Sequence, residues 1–439
     1  MTMRLILVFA ALVLAGCAAK PERTSGSPEG QLLLLEHATL IDGSGTAPQP
    51  DRSILVSGDR IAAIYPSGSR PAPAGARVVD LSGRFVIPGL IDGHVHLKSR
   101  ARDPGMMEQI LGNVLRGGIT TVRDMGGNGA ELAPLARRAN SLEIEAPHIV
   151  YATMLTGPAS RFWMSGEPGT WVSAGHPPGT SPWFRRIGPA SGPESAAADA
   201  RGYGASAIKV HSGLNAAELA AVGSAARRHG LRLWTHAYVG PAVASDSVAA
   251  GASSISHADM LAYEGLGPRP GDFDSLPYIE RTRRAMAATP IEGEALGRLF
   301  RLMRARSVCL ESTLFVMTPQ EPDPASTSYV GYAAAATARA LRMGVPICAG
   351  TDAIGGSTSN LPAELELLVG RAGLTPLQAI RAATFENARA LGLRDRGLVA
   401  RGRRADLVVL TADPSRVIGN VRAVDSVYLG GRLVPSRPR

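Results

Sequence analysis

Two histidines spaced i, i+2 at the end of an apolar run are the first residues in this chain whose types and spacing could do chemistry. They are His94 and His96, in Val86-Ile-Pro-Gly-Leu-Ile-Asp-Gly-His-Val-His96. Side chains alternate across a strand, so the pair shares a face and can grip one metal ion. Four more strand-like runs end in groups of the same kind. They are Ala207-Ile-Lys-Val-His211, Leu233-Trp-Thr-His-Ala-Tyr238, Ser254-Ile-Ser-His-Ala-Asp259 and Cys348-Ala-Gly-Thr-Asp352. Each stands where a buried parallel strand would open onto a loop, the place where an α/β barrel keeps its reactive groups.

Lys209 is the most telling of these residues. Only three of the 46 basic residues are lysines, Lys20, Lys98 and Lys209, and this one sits inside an apolar strand. Burial pulls an amine's pKa from about 10.4 toward neutrality. A neutral primary amine can add CO2 to form a carbamate, a carboxylate-like bridge between two metal ions, whereas a guanidinium is a poor substitute. Taken alone, Lys209 would equally suit a structural salt bridge.

The elements that must position these groups follow from apolar runs. Candidate strands at 85–97, 119–125, 148–154, 206–212, 231–238, 253–259, 307–316 and 345–352 alternate with helical patterns such as Ala216–His229 and Tyr332–Met343, closed by Gly230 and Gly344. Glycine is the expected helix stop, and eight strand–helix repeats are the count of a TIM (β/α)8 barrel. Residues 31–84 and 396–439 are instead short apolar runs broken by turns. The expected class is therefore α/β: a barrel over 85–395 with a small β-sandwich domain formed by both chain termini.

Pro88-Gly-Leu-Ile-Asp-Gly-His-Val-His96, Gly350-Thr-Asp352, Ala382-Ala-Thr-Phe-Glu-Asn-Ala-Arg389 and Ala405-Asp-Leu-Val-Val-Leu410 occur jointly and in order. In these the chain resembles the amidohydrolase superfamily, and within it the imidazolonepropionase-related, prolidase-like group. The resemblance implies a barrel holding one or two divalent metals, usually zinc, flanked by the terminal sandwich. It implies that His94 and His96 bind the more buried metal, that Lys209 is the carboxylated bridge, and that His236 and His257 bind the second metal. Asp352 would bind the buried metal and shuttle the proton as a metal-bound hydroxide attacks a carbonyl. Imidazole and carboxylate donors suit Zn2+. Deaminases and imidazolonepropionases of this superfamily typically carry a glutamate three residues after the fifth-strand histidine; here that position is Val239. Hydrolysis of an amide or peptide bond, in a dipeptide or N-acyl amino acid, is the expected activity. An ester or lactone hydrolase, or a tethered binding protein without turnover, are the alternatives.

His211 and Tyr238 should face the barrel mouth and orient substrate, with simple packing as the competing reading. Asp124 and Asp259 suit capping or loop hydrogen bonds as well as chemistry. His37, His148 and His229 read as structural, and His176 as a pocket or surface residue. The 155–190 loop carries three of the four tryptophans, with Phe162, Trp163, Trp171, Trp183 and Phe184, suited to a pocket wall or to a self-packed loop.

The formal charge of +9 is spread without any Lys/Arg run, so no nucleic-acid surface is expected. At the N-terminus, Arg4, the apolar run Leu5–Ala15 and Leu14-Ala-Gly-Cys17 resemble a bacterial signal peptide with a lipobox over 1–17. A flexible tether would follow over 18–30. The protein is then expected to be exported and lipid-anchored on the periplasmic side, with Ala18 resembling the outer-membrane sorting class. A homo-oligomer is compatible with the sequence but not specified by it. Cys309 and Cys348 lie in apolar strand-like runs and read as core thiols rather than a disulfide.

Overall fold

The computed structural model describes residues 32–98, 103–158, 160, 171–188, 192–267, 273, 276–318, 324–354 and 360–435. The lipobox around Cys17, the 18–30 tether, Phe162 and Trp163 lie outside the described residues. Among the described residues, no helix is long and apolar enough to cross a membrane.

Apolar runs become barrel strands where the sequence placed them. Leu90–His96, Ile119–Asp124, His148–Thr156, Ala207–Val210, Arg232–His236, Ser254–Ser256 and Cys309–Glu311 pair in that order, each parallel to the next. The eighth strand arrives in two short pieces. Ile347–Cys348 pairs with the seventh strand and Ala353–Ile354 with the first, which closes the ring. Helix Ala216–Arg228 starts in an Asn215/Glu218 capping box and is followed by Gly230 at a φ of 68°. The second expected helix begins earlier than its periodicity suggests, running Pro324–Arg342.

The expected strand 85–97 is two strands. Phe85–Pro88 pairs with Leu32–Leu40 and Leu407–Leu410 in the terminal sheet, and only Leu90–His96 enters the barrel. The break falls at Gly89, where a Cβ would lie 2.1 Å from Thr120 Oγ1. Only glycine permits that approach. The apolar run therefore serves two cores: Val86 is buried in the sheet domain and Ile87 against the barrel. Leu407 and Val409 alternate with Val408 and Leu410 in the same way. Among the described residues, eight strands from the two ends of the chain make up this second sheet.

One buried carboxyl lies between the seventh-strand loop and the helix Leu361–Gly370. Glu364 is fully buried, accepts the Phe315 N–H at 2.7 Å, and leaves Oε1 without a hydrogen-bond partner. Burial pushes its pKa up from 4.5 to about 8. Between those values the unfolded chain binds fewer protons, so this group's contribution to stability is full below about pH 4.5 and falls as pH rises through about 8. Glu364→Gln keeps an acceptor for Phe315 and removes that loss. The variant should melt higher than the parent at pH 8, its gain in stability being at most about 5 kcal/mol at roughly 1.4 per pKa unit. The gap should close near pH 4. An equal gap at both pH values, measured by thermal unfolding, would contradict the assignment.

Candidate metal centre

The strand ends are pinned to each other before any ligand is considered. Asp92 accepts hydrogen bonds from the His94 N–H (3.1 Å), the Thr351 N–H (3.0 Å) and the Thr351 hydroxyl (2.7 Å). This ties the eighth strand to the first. Gly350 makes the contact possible, because a Cβ there would lie 2.7 Å from the Cβ of His94. The spacing Gly350-Thr-Asp352 then delivers Asp352 to the two histidines. Its Oδ1 lies 3.3 Å from Nε2 of His94 and 3.3 Å from Nε2 of His96. Asp352 and His257 both have positive φ, 55° and 72°, an unusual conformation for side-chain-bearing residues that concentrates at functional sites.

Three of the candidate ligand imidazoles are held through Nδ1. His94 Nδ1 meets Glu311 Oε1, His96 Nδ1 meets the Gly126 carbonyl at 2.9 Å, and His257 Nδ1 meets Thr313 Oγ1 at 2.9 Å. A carboxylate and a carbonyl only accept, so in the neutral rings Nδ1 of His94 and His96 carries the proton and Nε2 carries a lone pair. Ligand atoms of His94, His257 and Asp352 all lie within 4.8 Å of one another. His94 Nε2 and Asp352 Oδ1 are buried and make no hydrogen bond. Two lone-pair atoms facing each other in a buried site repel, and a cation between them removes the repulsion. The residues fit a divalent metal.

The rest of the set continues around the barrel. Ring centroids of His94 and His257 are 5.2 Å apart, those of His257 and His236 4.5 Å, and those of His236 and His211 4.2 Å. Lys209 is buried, and its amine donates to Ser256 Oγ at 3.1 Å. Burial, then Arg123, holds the Lys209 pKa well below that of an ordinary lysine. Burial likewise lowers His94, His211 and His236, and takes His257 to about 4. These rings are neutral, as metal ligands must be. His96 differs: burial opposes its charge, but the carboxylates of Asp352 and Asp124 outweigh that and raise its pKa.

Other residues singled out from sequence lie as follows. Tyr238 stacks on Tyr263 at 4.0 Å, with the Arg281 guanidinium 5.8 Å from its ring, in an aromatic cluster that includes Phe273. Asp124 accepts from the Leu97 N–H at 2.7 Å and the Gly126 N–H at 2.8 Å, shaping the first-strand loop. Asp259 is buried in the 3-10 turn after His257. His37 pairs with Asp51, His229 with Glu194 and His148 with Arg404. His176 meets Trp183 edge-on at 5.5 Å. Trp183 donates to the Val172 carbonyl at 2.6 Å and is buried with Phe184 and Met154.

Two features were not read from the sequence. Glu311 and Arg123 are fully buried and ion-paired beside His94. Their signal was available as a charge inside each of the runs Val308-Cys-Leu-Glu311 and Thr121-Val-Arg123. The reading of Cys309 and Cys348 as core thiols is corrected: they form a disulfide. Their runs are the seventh and eighth strands, paired so that Leu310 faces Ile347 and Glu311 faces Cys348. That register sets the two Cα atoms 5.9 Å apart, within bridging range. The expected barrel already made these strands neighbours, but apolar flanks say nothing about the register that brings the two sulfurs together. The loop spans 39 residues, so the chain-entropy limit for the bridge is about 4 kcal/mol. Replacing both cysteines with alanine should lower the denaturant midpoint accordingly. An unchanged midpoint, or no Cys309–Cys348 cross-linked peptide in a non-reducing digest, would restore the thiol reading.

The pattern of the amidohydrolase family matches residues 85–434, and the chain belongs to that family. A Xaa-Pro dipeptidase with methionine bound in its active site has the same fold, with a TM-score of 0.69 and 23% identity over 92% of this chain and 99% of that one. The ochratoxinase of A. niger matches with a TM-score of 0.71 and 20% identity, over 92% of this chain and 96% of that one. The imidazolonepropionase of Deinococcus deserti is 42% identical over 89 residues, 20% of this chain. The match spans 22% of that relative's length.

Proposed function

We propose that this chain is a metal-dependent hydrolase of a C–N bond, acting on a dipeptide or an N-acyl amino acid. The observation that carries the reading is that ligand atoms of His94, His257 and Asp352 lie within 4.8 Å of one another, with His96 Nε2 3.3 Å from the same Asp352 oxygen. His94, His96 and Asp352 would hold the deeper of two divalent ions, and His236 and His257 the other. Lys209, as a carbamate, would bridge them. Zinc suits this nitrogen and oxygen donor set. When bound, such ions acidify a water and polarise a carbonyl.

The chain's own residues supply the remaining parts. Asp352 accepts the proton of the attacking water and returns it to the leaving nitrogen. His211 and Tyr238 orient the substrate carbonyl or carboxylate. Val239 is buried and apolar, so the residue three beyond His236 cannot serve as the acid that ring deamination uses. The same centre would attack an ester, so a panel is needed. Zinc-loaded protein should hydrolyse some dipeptides or N-acyl amino acids; turnover of matched esters alone would sink the peptidase assignment.

The proposal extends to location. Export is supported by the Cys309–Cys348 bridge, because disulfides persist in oxidising compartments; Cys17 as a lipid anchor rests on the lipobox-like Leu14-Ala-Gly-Cys17 alone.

A further inference from the structure

Beneath the proposed metal ligands lies an ion pair that ties five barrel strands together. Glu311, on the seventh strand, accepts from His94 Nδ1 through one carboxylate oxygen and meets the Arg123 guanidinium through the other. Arg123, on the second strand, also donates to the Gly93 carbonyl and, at 2.7 Å, to Ser254 Oγ on the sixth. Its guanidinium lies 4.6 Å from the ring of Trp234 on the fifth. Glu311, Arg123 and His94 are all fully buried.

Stability alone is a weak reason for this arrangement. Desolvating two charges offsets most of their attraction, and apolar residues of similar size often serve a fold equally well. What an apolar pair could not do is fix His94. A carboxylate at Nδ1 holds the proton there, leaves the Nε2 lone pair aimed at Asp352, and makes the imidazole a stronger donor. Arg123 in turn fixes the carboxylate by a charge-assisted pair and anchors to the backbone of Gly93, the residue before His94.

We propose that the Arg123–Glu311 pair is the positioning unit for His94, setting its tautomer and ring orientation for the deeper metal. This rests on the metal-centre reading above. It assigns the pair no contact with substrate.

The test removes both charges together, so that neither member of the pair is left buried without the other. Arg123→Met/Glu311→Leu should fold, with parent-like near-ultraviolet dichroism and melting. Its affinity for one of the two Zn2+ ions, measured by competition with a chromophoric chelator, should drop about 10- to 100-fold. The absorption spectrum of the Co2+-loaded protein should change with it. Glu311→Gln, which keeps an acceptor of the same shape, guards against failure of the double variant to fold and should show a smaller loss. In a His94→Ala background, removing the pair should leave metal affinity unaltered, which a purely structural pair would not predict. Parent-like affinity and spectrum in both folded variants would overturn the positioning role while leaving the metal centre intact. A parent protein that binds no Zn2+ would overturn both.

Discussion

Asp352→Asn should lower kcat/KM by about 10²–10⁴-fold, the usual contribution of a positioned proton-transfer group, and should weaken the deeper metal as well. The substitution preserves shape. The backbone N–H of residue 352 still donates to the His94 carbonyl at 2.9 Å, and asparagine tolerates the left-handed φ of 55°. What it removes is the negative charge that lies 3.3 Å from Nε2 of both His94 and His96. An amide can neither take the proton of a water nor balance a divalent cation. The raised pKa of His96 depends on that carboxylate, so the metal-free variant should also titrate His96 at lower pH, visible by NMR. Parent-level turnover would remove Asp352 from the mechanism, and an unmoved His96 would remove the coupling.

Lys209→Ala is expected to lose the bridged pair of metals and most activity. Short carboxylic acids such as acetate or propionate should restore part of both, standing in for the carbamate. The amine is buried, with its pKa well below the ordinary value, which favours the neutral form that can combine with CO2. Lys209→Arg offers the comparison: a guanidinium stays protonated and forms no carbamate, so neither metal content nor activity should recover with CO2. Full metal occupancy in Lys209→Ala without added acid would contradict the bridging role.

How much of this was legible in the sequence depends on the range of the signal. His94, His96 and Asp352 announce themselves because strand alternation and short glycine-rich turns are local. The barrel followed from the eight apolar runs between helical patterns. Two things escaped because they are set by neighbourhood across strands. The Cys309–Cys348 bridge depends on the seventh and eighth strands lying side by side in one register. The Glu311–His94 contact joins residues 217 positions apart. The division of Phe85–His96 between two sheets turns on a single contact, Gly89 against Thr120, which no periodicity reveals. Tyr238 is a case where alternation found the residue but not its partner, since Tyr263, on which it stacks, lies in the 3-10 turn after the sixth strand.

If the strand-end residues hold metal for hydrolysis, the protein's metal stoichiometry must follow from them. Full-length protein is loaded with Zn2+, dialysed free of excess and analysed for metal per chain. Two zinc ions per chain are expected, lost together with hydrolytic activity on chelation and restored by re-addition. A protein that retains no zinc, with turnover indifferent to chelator, would contradict that role.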